Sequence, residues 1–231
     1  MNKITLDNIE IEVVKKNIKN LNLSVHPPYG DVRLSVPKKM DDEAVKRFAI
    51  SKLDWIRKQR DKFKTQEKSV IEYKSGEFHC LFGKKYELKV VENNGRQFAE
   101  LQGEHIVLHV KKDTSLEKKE KLFQEFYRDN LKSAVPEYIE KWEKIIGVNI
   151  DDWAVKIMKT RWGTCNTRSR KIWINLELAK KNRSCLEYIV VHELTHLLER
   201  YHNKTFYNYM DEFLPHWKNI KKELNGMACE N

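Results

Sequence analysis

No apolar run in this 231-residue chain approaches the ~18 residues that a membrane-spanning helix requires. With 40% hydrophobic residues and a mean hydropathy of −0.71, the composition excludes a helical membrane protein. No signal peptide is expected, because polar residues break up Ile4-Thr5-Leu6-Asp7-Asn8 close to the start. Cysteines are few, and Cys80, Cys165, Cys185 and Cys229 show no Cys-x-x-Cys spacing, so they are read as free thiols in a reducing cytoplasm. No internal repeat, phosphate-binding glycine loop or low-complexity tract stands out, which argues against repeat arrays and glycine-loop nucleotide folds. Acidic residues are in deficit, 34 against 44 Lys and Arg, giving a formal net charge of +10 and a pI near 9.3. That balance favours acidic partners such as nucleotides, nucleic acid or an acidic protein. The basic pairs, among them Lys15-Lys16, Lys111-Lys112, Lys118-Lys119 and Lys221-Lys222, are dispersed and interleaved with acids, so a solvated lysine-rich surface accounts for much of the excess.

What the chain does have is Val191-His192-Glu193-Leu194-Thr195-His196. On an α-helix, residues four apart share a face, so both imidazoles can reach one metal ion, and the spacing suits Zn²⁺. Glu193 is rotated about 100° off the histidine line, where it can act on a water beside the metal as general base. His-Glu-x-x-His is the pattern of metalloprotease helices. Ser184 and Glu187 form a Ser-x-x-Glu capping box two turns earlier. Leu186, Ile189, Val190, Leu194, Leu197 and Leu198 supply the apolar positions of a buried helix. The competing reading is a pair of hydrogen-bonded core histidines beside a solvated glutamate.

His202 is the expected third ligand, because residues 192, 196 and 202 reproduce the ligand spacing of the extended motif His-Glu-x-x-His-x-x-Gly-x-x-His. A straight helix would carry residue 202 about 9 Å along the axis from residue 196, so the helix must turn after about Glu199. Glu199 stands where the motif has glycine, and a left-handed conformation there would be strained. Asn203 reads as the N-cap of a helix beginning near Lys204. The alternatives are His202 as a surface histidine, or a carboxylate ligand from Glu199, Asp211 or Glu212.

Upstream lies Lys159-Thr160-Arg161-Trp162-Gly163-Thr164-Cys165-Asn166, between alternating segments at 154–158 and 172–174 that read as two short strands joined by a polar turn. An edge strand beside a zinc helix can hold an extended substrate through main-chain hydrogen bonds. Arg161 can grip a phosphate with its planar fork, or pair with a carboxylate and lock the turn. Leu21, Leu23 and Val25, then Val32, Leu34 and Val36, alternate about Pro27-Pro28-Tyr29-Gly30 as a β-hairpin. Asp41 or Asp42 caps a helix to about Phe63, followed by a polar link over Lys64–Lys68. Residues 70–110 divide into short strands, and a helix from about Ser115 to Ile146 is expected to break or kink near Pro136.

On Arg161-Trp162-Gly163-Thr164-Cys165, the strand ending at Asn175, His192-Glu193-Leu194-Thr195-His196 and His202-Asn203-Lys204-Thr205-Phe206, the chain resembles the YgjP-like family of metal-dependent hydrolases. Lys38 to Phe63, with Leu53-Asp54-Trp55-Ile56, is similar to the family's N-terminal helix. Ser75-Gly76-Glu77 and Leu81-Phe82-Gly83-Lys84-Lys85-Tyr86 are similar to its hairpin region. The resemblance implies a zincin-like C-terminal domain with His192, His196 and His202 as ligands and Glu193 as acid/base. It carries two activities, peptidase and nucleoside-triphosphate pyrophosphatase, and a distant similarity to SprT- and Wss-type proteases that act on DNA-bound proteins.

The expectation is an α+β protein: an N-terminal β-rich module with one helix over residues 1–112, then a zincin-like metallohydrolase domain over residues 113–231. It is read as a cytoplasmic, metallopeptidase-like hydrolase binding one Zn²⁺ through three histidines, with Glu193 as general base and Arg161 in substrate binding. The first alternative is nucleotide hydrolysis at the same metal. The second is a nucleic-acid-binding module with a structural metal.

Overall fold

A computed structural model describes residues 3–26, 31–64 and 71–226. The protein has both helices and mixed sheets, and its fold class is α+β. It divides into two compact units, Met1–Ile71 and Glu72–Asn231.

In the first unit, β1 (Lys3–Leu6) and β2 (Ile9–Lys16) form a hairpin about Asp7 and Asn8, whose φ values of 44° and 60° give the turn that matches strand twist. Strands β3 (Asn22–His26) and β4 (Asp31–Pro37) pair antiparallel, with Leu23 opposite Leu34 and Val25 opposite Val32, as the alternation predicts. The expected turn at Pro27–Gly30 lies outside the described residues. The sheet order is β1-β2-β4-β3, with β2 and β4 parallel. Ile9, Ile11, Val13, Val32, Leu34 and Val36 point to one face and pack with Val45, Ala49 and Ile56. Those three come from α1 (Asp42–Ser51) and α2 (Leu53–Lys64), where the sequence suggested one helix. The break falls at Lys52, whose N–H donates to Ala49 and Ile50 carbonyls in a tightened last turn. Asp41 caps α1, accepting from the Ala44 N–H at 2.7 Å. Of the polar link expected after α2, residues 65–68 are not described.

The second unit opens with β5 (Phe78–Leu81), β6 (Lys84–Glu92), β7 (Phe98–Gln102) and β8 (His105–Val110), ordered β5-β6-β8-β7. This repeats the order and pairing senses of the first sheet: antiparallel outside, parallel at the centre. Even the first hairpin turn recurs, with Phe82 and Gly83 at φ 47° and 82°. The sequence shows no repeat because alternation and turn geometry set this topology, and many side chains satisfy both. Leu81, Leu88, Ile106, Leu108 and Val110 share one core with α3 (Leu116–Ile146) and the C-terminal helices. For that reason the division falls at 71/72, whereas the sequence placed it at 112/113. Helix α3 runs unbroken through Pro136, from its cap at Ser115 to Gly147 at φ 75°.

Strands β9 (Asp152–Lys156), β10 (Gly163–Asn166) and β11 (Lys171–Asn175) form a third sheet, ordered β10-β11-β9. The segment read as a turn thus supplies an edge strand of its own. A short 3-10 turn (Leu176–Lys180) leads to α4 (Arg183–Thr195), α5 (Lys204–Phe213) and α6 (Trp217–Leu224). Helix α4 is apolar on most sides and almost wholly buried, as a helix at the centre of a core must be. Asn182, not Ser184, occupies its N-cap. The Glu187 carboxylate is engaged elsewhere, accepting from Trp142 Nε1 at 3.0 Å and pairing with Lys141 at 2.7 Å. Cys165 and Cys185 are free thiols, as expected, but Cys80 is disulfide-bonded, against that reading. Among the described residues no helix is long and apolar enough to cross a membrane.

Candidate metal centre

Helix α4 carries His192 and Glu193 into its last turn and ends at Thr195, leaving His196 at the C-cap. The chain turns there through Leu197 N–H to Leu194 O at 2.9 Å and Leu198 N–H to Thr195 O at 3.0 Å. The turn therefore comes about one turn of helix earlier than the sequence suggested. Glu199 is not among the residues with positive φ, so no glycine is needed at its position. Asn203 then starts α5 as expected, its side chain accepting from the Phe206 N–H at 3.0 Å.

This path brings His192, His196 and His202 together, with one ring nitrogen from each within 4.8 Å of the others. Among the described residues no other group of three potential ligands gathers in this way. His202 Nε2 lies 3.0 Å from His192 Nε2. Nitrogens bound tetrahedrally to one zinc at about 2.05 Å stand about 3.3 Å apart, so the His192–His202 pair is already near that spacing and the three donors are of the kind zinc takes. His196 Nδ1 lies 3.2 Å from the Glu199 carbonyl, which can only accept; the proton is therefore on Nδ1 and the Nε2 lone pair is free to ligate. Phe206, wholly buried, places its ring centre 4.7–5.0 Å from all three imidazole centres and fixes them from below. Burial and the neighbouring His196, His202 and Lys221 push His192 down to about 3. Burial likewise lowers His196 and His202, so all three favour the neutral, metal-binding form.

The carboxylates considered as third ligands are otherwise placed. Glu199 accepts from the Tyr201 N–H at 2.9 Å, and Asp211 accepts from Trp217 Nε1 at 2.7 Å and Lys218 Nζ at 3.0 Å. Glu212 is exposed on α5.

Glu193 is 4% exposed and lies against Gly163 at the start of β10. Burial pushes its carboxyl up to about 8, with the Arg161 charge pulling the other way. Both line a cleft of about 980 Å³ together with the histidines and all of β10. An aromatic stack forms part of the wall: Trp217 lies between Tyr188 at 6.2 Å and Tyr207 at 5.6 Å, near parallel to each. The loop carrying Arg161 is pinned by buried Asn175, whose Nδ2 donates to Met158 O at 2.9 Å and Arg161 O at 2.7 Å. Arg161 thus reaches the cleft, and among the described residues it has no carboxylate at ion-pair distance.

Sequence reasoning missed Gly163, Asn175 and the aromatic stack as parts of the site. A glycine inside a short strand signals close approach of a neighbour, which would have marked Gly163 had β10 been read as a strand.

Residues 19–227 match the family described as YgjP-like, metallopeptidase domain. No curated protein matches the chain. Among solved structures, abylysin, a metallopeptidase zymogen of Pyrococcus abyssi, is similar at 20% identity with a TM-score of 0.36, over 38% of this chain and 89% of that one.

Proposed function

The chain belongs to the YgjP-like family of metallopeptidase domains, and from that premise we propose that it is a zinc-dependent peptidase built on His192, His196, His202 and Glu193. Membership itself makes the chain a metal-dependent hydrolase. The observation that carries the peptidase reading is the convergence of three imidazoles beside a buried carboxylate in one open cleft.

The three imidazoles would hold the ion, and neutral nitrogen donors in that number suit zinc while leaving a position open. A zinc ion held there supplies Lewis acidity toward the scissile carbonyl and the attacking water. Glu193 would take the proton of that water and return it to the leaving amine. Strand β10 pairs with β11 on one side only among the described residues, and its other edge is available to an extended substrate chain. Arg161, at the head of that strand, binds substrate.

The test is elemental analysis of the purified protein followed by cleavage assays of the metal-loaded form on unfolded polypeptides. One bound zinc and peptide hydrolysis that a chelator abolishes are expected. A metal-loaded protein that leaves every polypeptide intact overturns the peptidase reading.

A further inference from the structure

The cleft beside the imidazoles is unbalanced in charge. Arg161, Arg168, Arg200 and Lys221 all line it, and the only carboxylate in its described wall is the buried Glu193. Elsewhere several basic side chains do meet acids, as Arg33 meets Glu12 at 2.7 Å, Lys84 meets Glu104 at 2.9 Å and Lys141 meets Glu187 at 2.7 Å, and others stand alone on the surface; what sets the cleft apart is that four cations share one concave wall. None of the four cleft cations has a carboxylate at ion-pair distance among the described residues. All four side chains are exposed, so their positive charge faces whatever enters.

Their placement follows the strand. Arg161 stands two residues before β10 and Arg168 two residues after it; Arg200 lies in the loop between His196 and His202, and Lys221 on α6. The four-residue strand spans roughly 13 Å, at about 3.3 Å per residue, so the two arginines bracket a length suited to an extended chain and not to one compact triphosphate. Among the described residues the cleft has no glycine-rich loop to cradle phosphates.

We propose that this cleft selects acidic polypeptide segments, with Asp or Glu side chains on both sides of the scissile bond meeting Arg161 and Arg168 along β10 and Arg200 and Lys221 from the facing elements. The proposal rests on the peptidase reading of the same site. Guanidinium groups take carboxylates in bidentate fashion, and a cleft of one sign concentrates and steers ligands of the other. Each exposed pair contributes roughly 1.4- to 5-fold, so four acting independently contribute between about 4- and 600-fold, with the middle of that range on the order of 10- to 100-fold.

Zinc-loaded full-length Glu193→Gln is titrated against three fluorescent peptides of equal length, one rich in Asp and Glu, one neutral and one rich in Lys, at about 0.05 M and about 0.5 M salt. The acidic peptide is expected to bind on the order of 10- to 100-fold more tightly than the neutral one at low salt, with the gap closing at high salt. Adding Arg168→Glu should weaken the acidic peptide by roughly 5-fold and strengthen the Lys-rich one, with metal content and Tm unchanged. Equal affinity for acidic and neutral peptides, or a preference indifferent to charge reversal, overturns the proposal. So does a nucleoside triphosphate bound more tightly than every peptide. Cleavage by the zinc-loaded wild type separates the two ideas: charge-selective binding with no cleavage leaves the acidic preference standing and removes the peptidase reading, whereas neutral peptides cut as fast as acidic ones remove the preference alone.

Discussion

Gly163 and Glu193 make a contact that only glycine permits: a Cβ on Gly163 would lie 2.5 Å from Glu193 Oε1 and 2.9 Å from its Cγ. The φ of Gly163 is not left-handed, so the requirement is for space and not for conformation. Gly163→Ala is therefore expected to displace the carboxylate and leave the histidines alone. With a displacement near 1 Å, kcat should fall about 100-fold at full metal content. Kinetics and elemental analysis of the same preparation check this, and an alanine variant with wild-type turnover would show that the carboxylate has room to spare.

Glu193→Gln keeps the shape of the side chain but cannot take a proton. Metal is expected to stay while turnover falls by roughly 100-fold or more. Near-normal activity would move the base to another residue.

His202→Ala and His192→Ala each remove one of three converging nitrogens, and both are expected to lose bound metal. Because the metal binds the folded state, a chelator should lower the wild-type Tm and leave the Tm of these variants almost unmoved. Stoichiometric metal in the purified His202→Ala protein would return the third-ligand role to a carboxylate.

Asn175 donates two hydrogen bonds that its isostere Asp cannot make. Asn175→Asp leaves the Met158 and Arg161 carbonyls facing a buried carboxylate, so a destabilisation of about 1–3 kcal/mol is expected, read as a shift in the denaturation midpoint. Proteolysis should accelerate within residues 157–162, where the loop is pinned. An unchanged midpoint would mean that the loop holds itself.

His79 is buried between Tyr73 and Phe123, and burial lowers its pKa despite the opposing pull of Glu77 3.4 Å away. The unfolded chain then takes up this proton near pH 6.5 while the folded chain resists it until lower pH. The stability His79 permits is present above about pH 6.5 and is lost as pH falls below it. Denaturation midpoints at about pH 8 and pH 5.5 should diverge more for the wild type than for His79→Gln. Equal divergence in the two proteins assigns the slope to other groups.

The convergence of the three histidines was legible because it lies in local patterns: four-residue spacing for His192 and His196, and an Asn cap immediately after His202. What was not legible depends on contacts distant in sequence. The Ser184–Glu187 box failed because Glu187 is claimed by Lys141 and Trp142 some 45 residues upstream. The expected strain at Glu199 disappears because His196 already stands outside the helix. Gly163 looked like a turn residue because its reason for being glycine is thirty residues away. Strand β1 is four residues long with two facing inward, Ile4 and half-buried Leu6, too few to register as alternation. Gly83 carries two requirements that sequence cannot separate: its φ of +82° and the side chain of Asn182, which would overlap any Cβ.

The repeated sheet topology also sets the order in which the protein can assemble during synthesis. Each sheet is made from one contiguous stretch, residues 3–37 and 78–110, so each can close as soon as its own strands have left the ribosome. His192 follows Val110 by about eighty residues, which at 5–20 residues per second is roughly 4–16 s of translation. The three histidines thus leave the ribosome after the strands of both sheets, and any metal they take up would be captured late in folding.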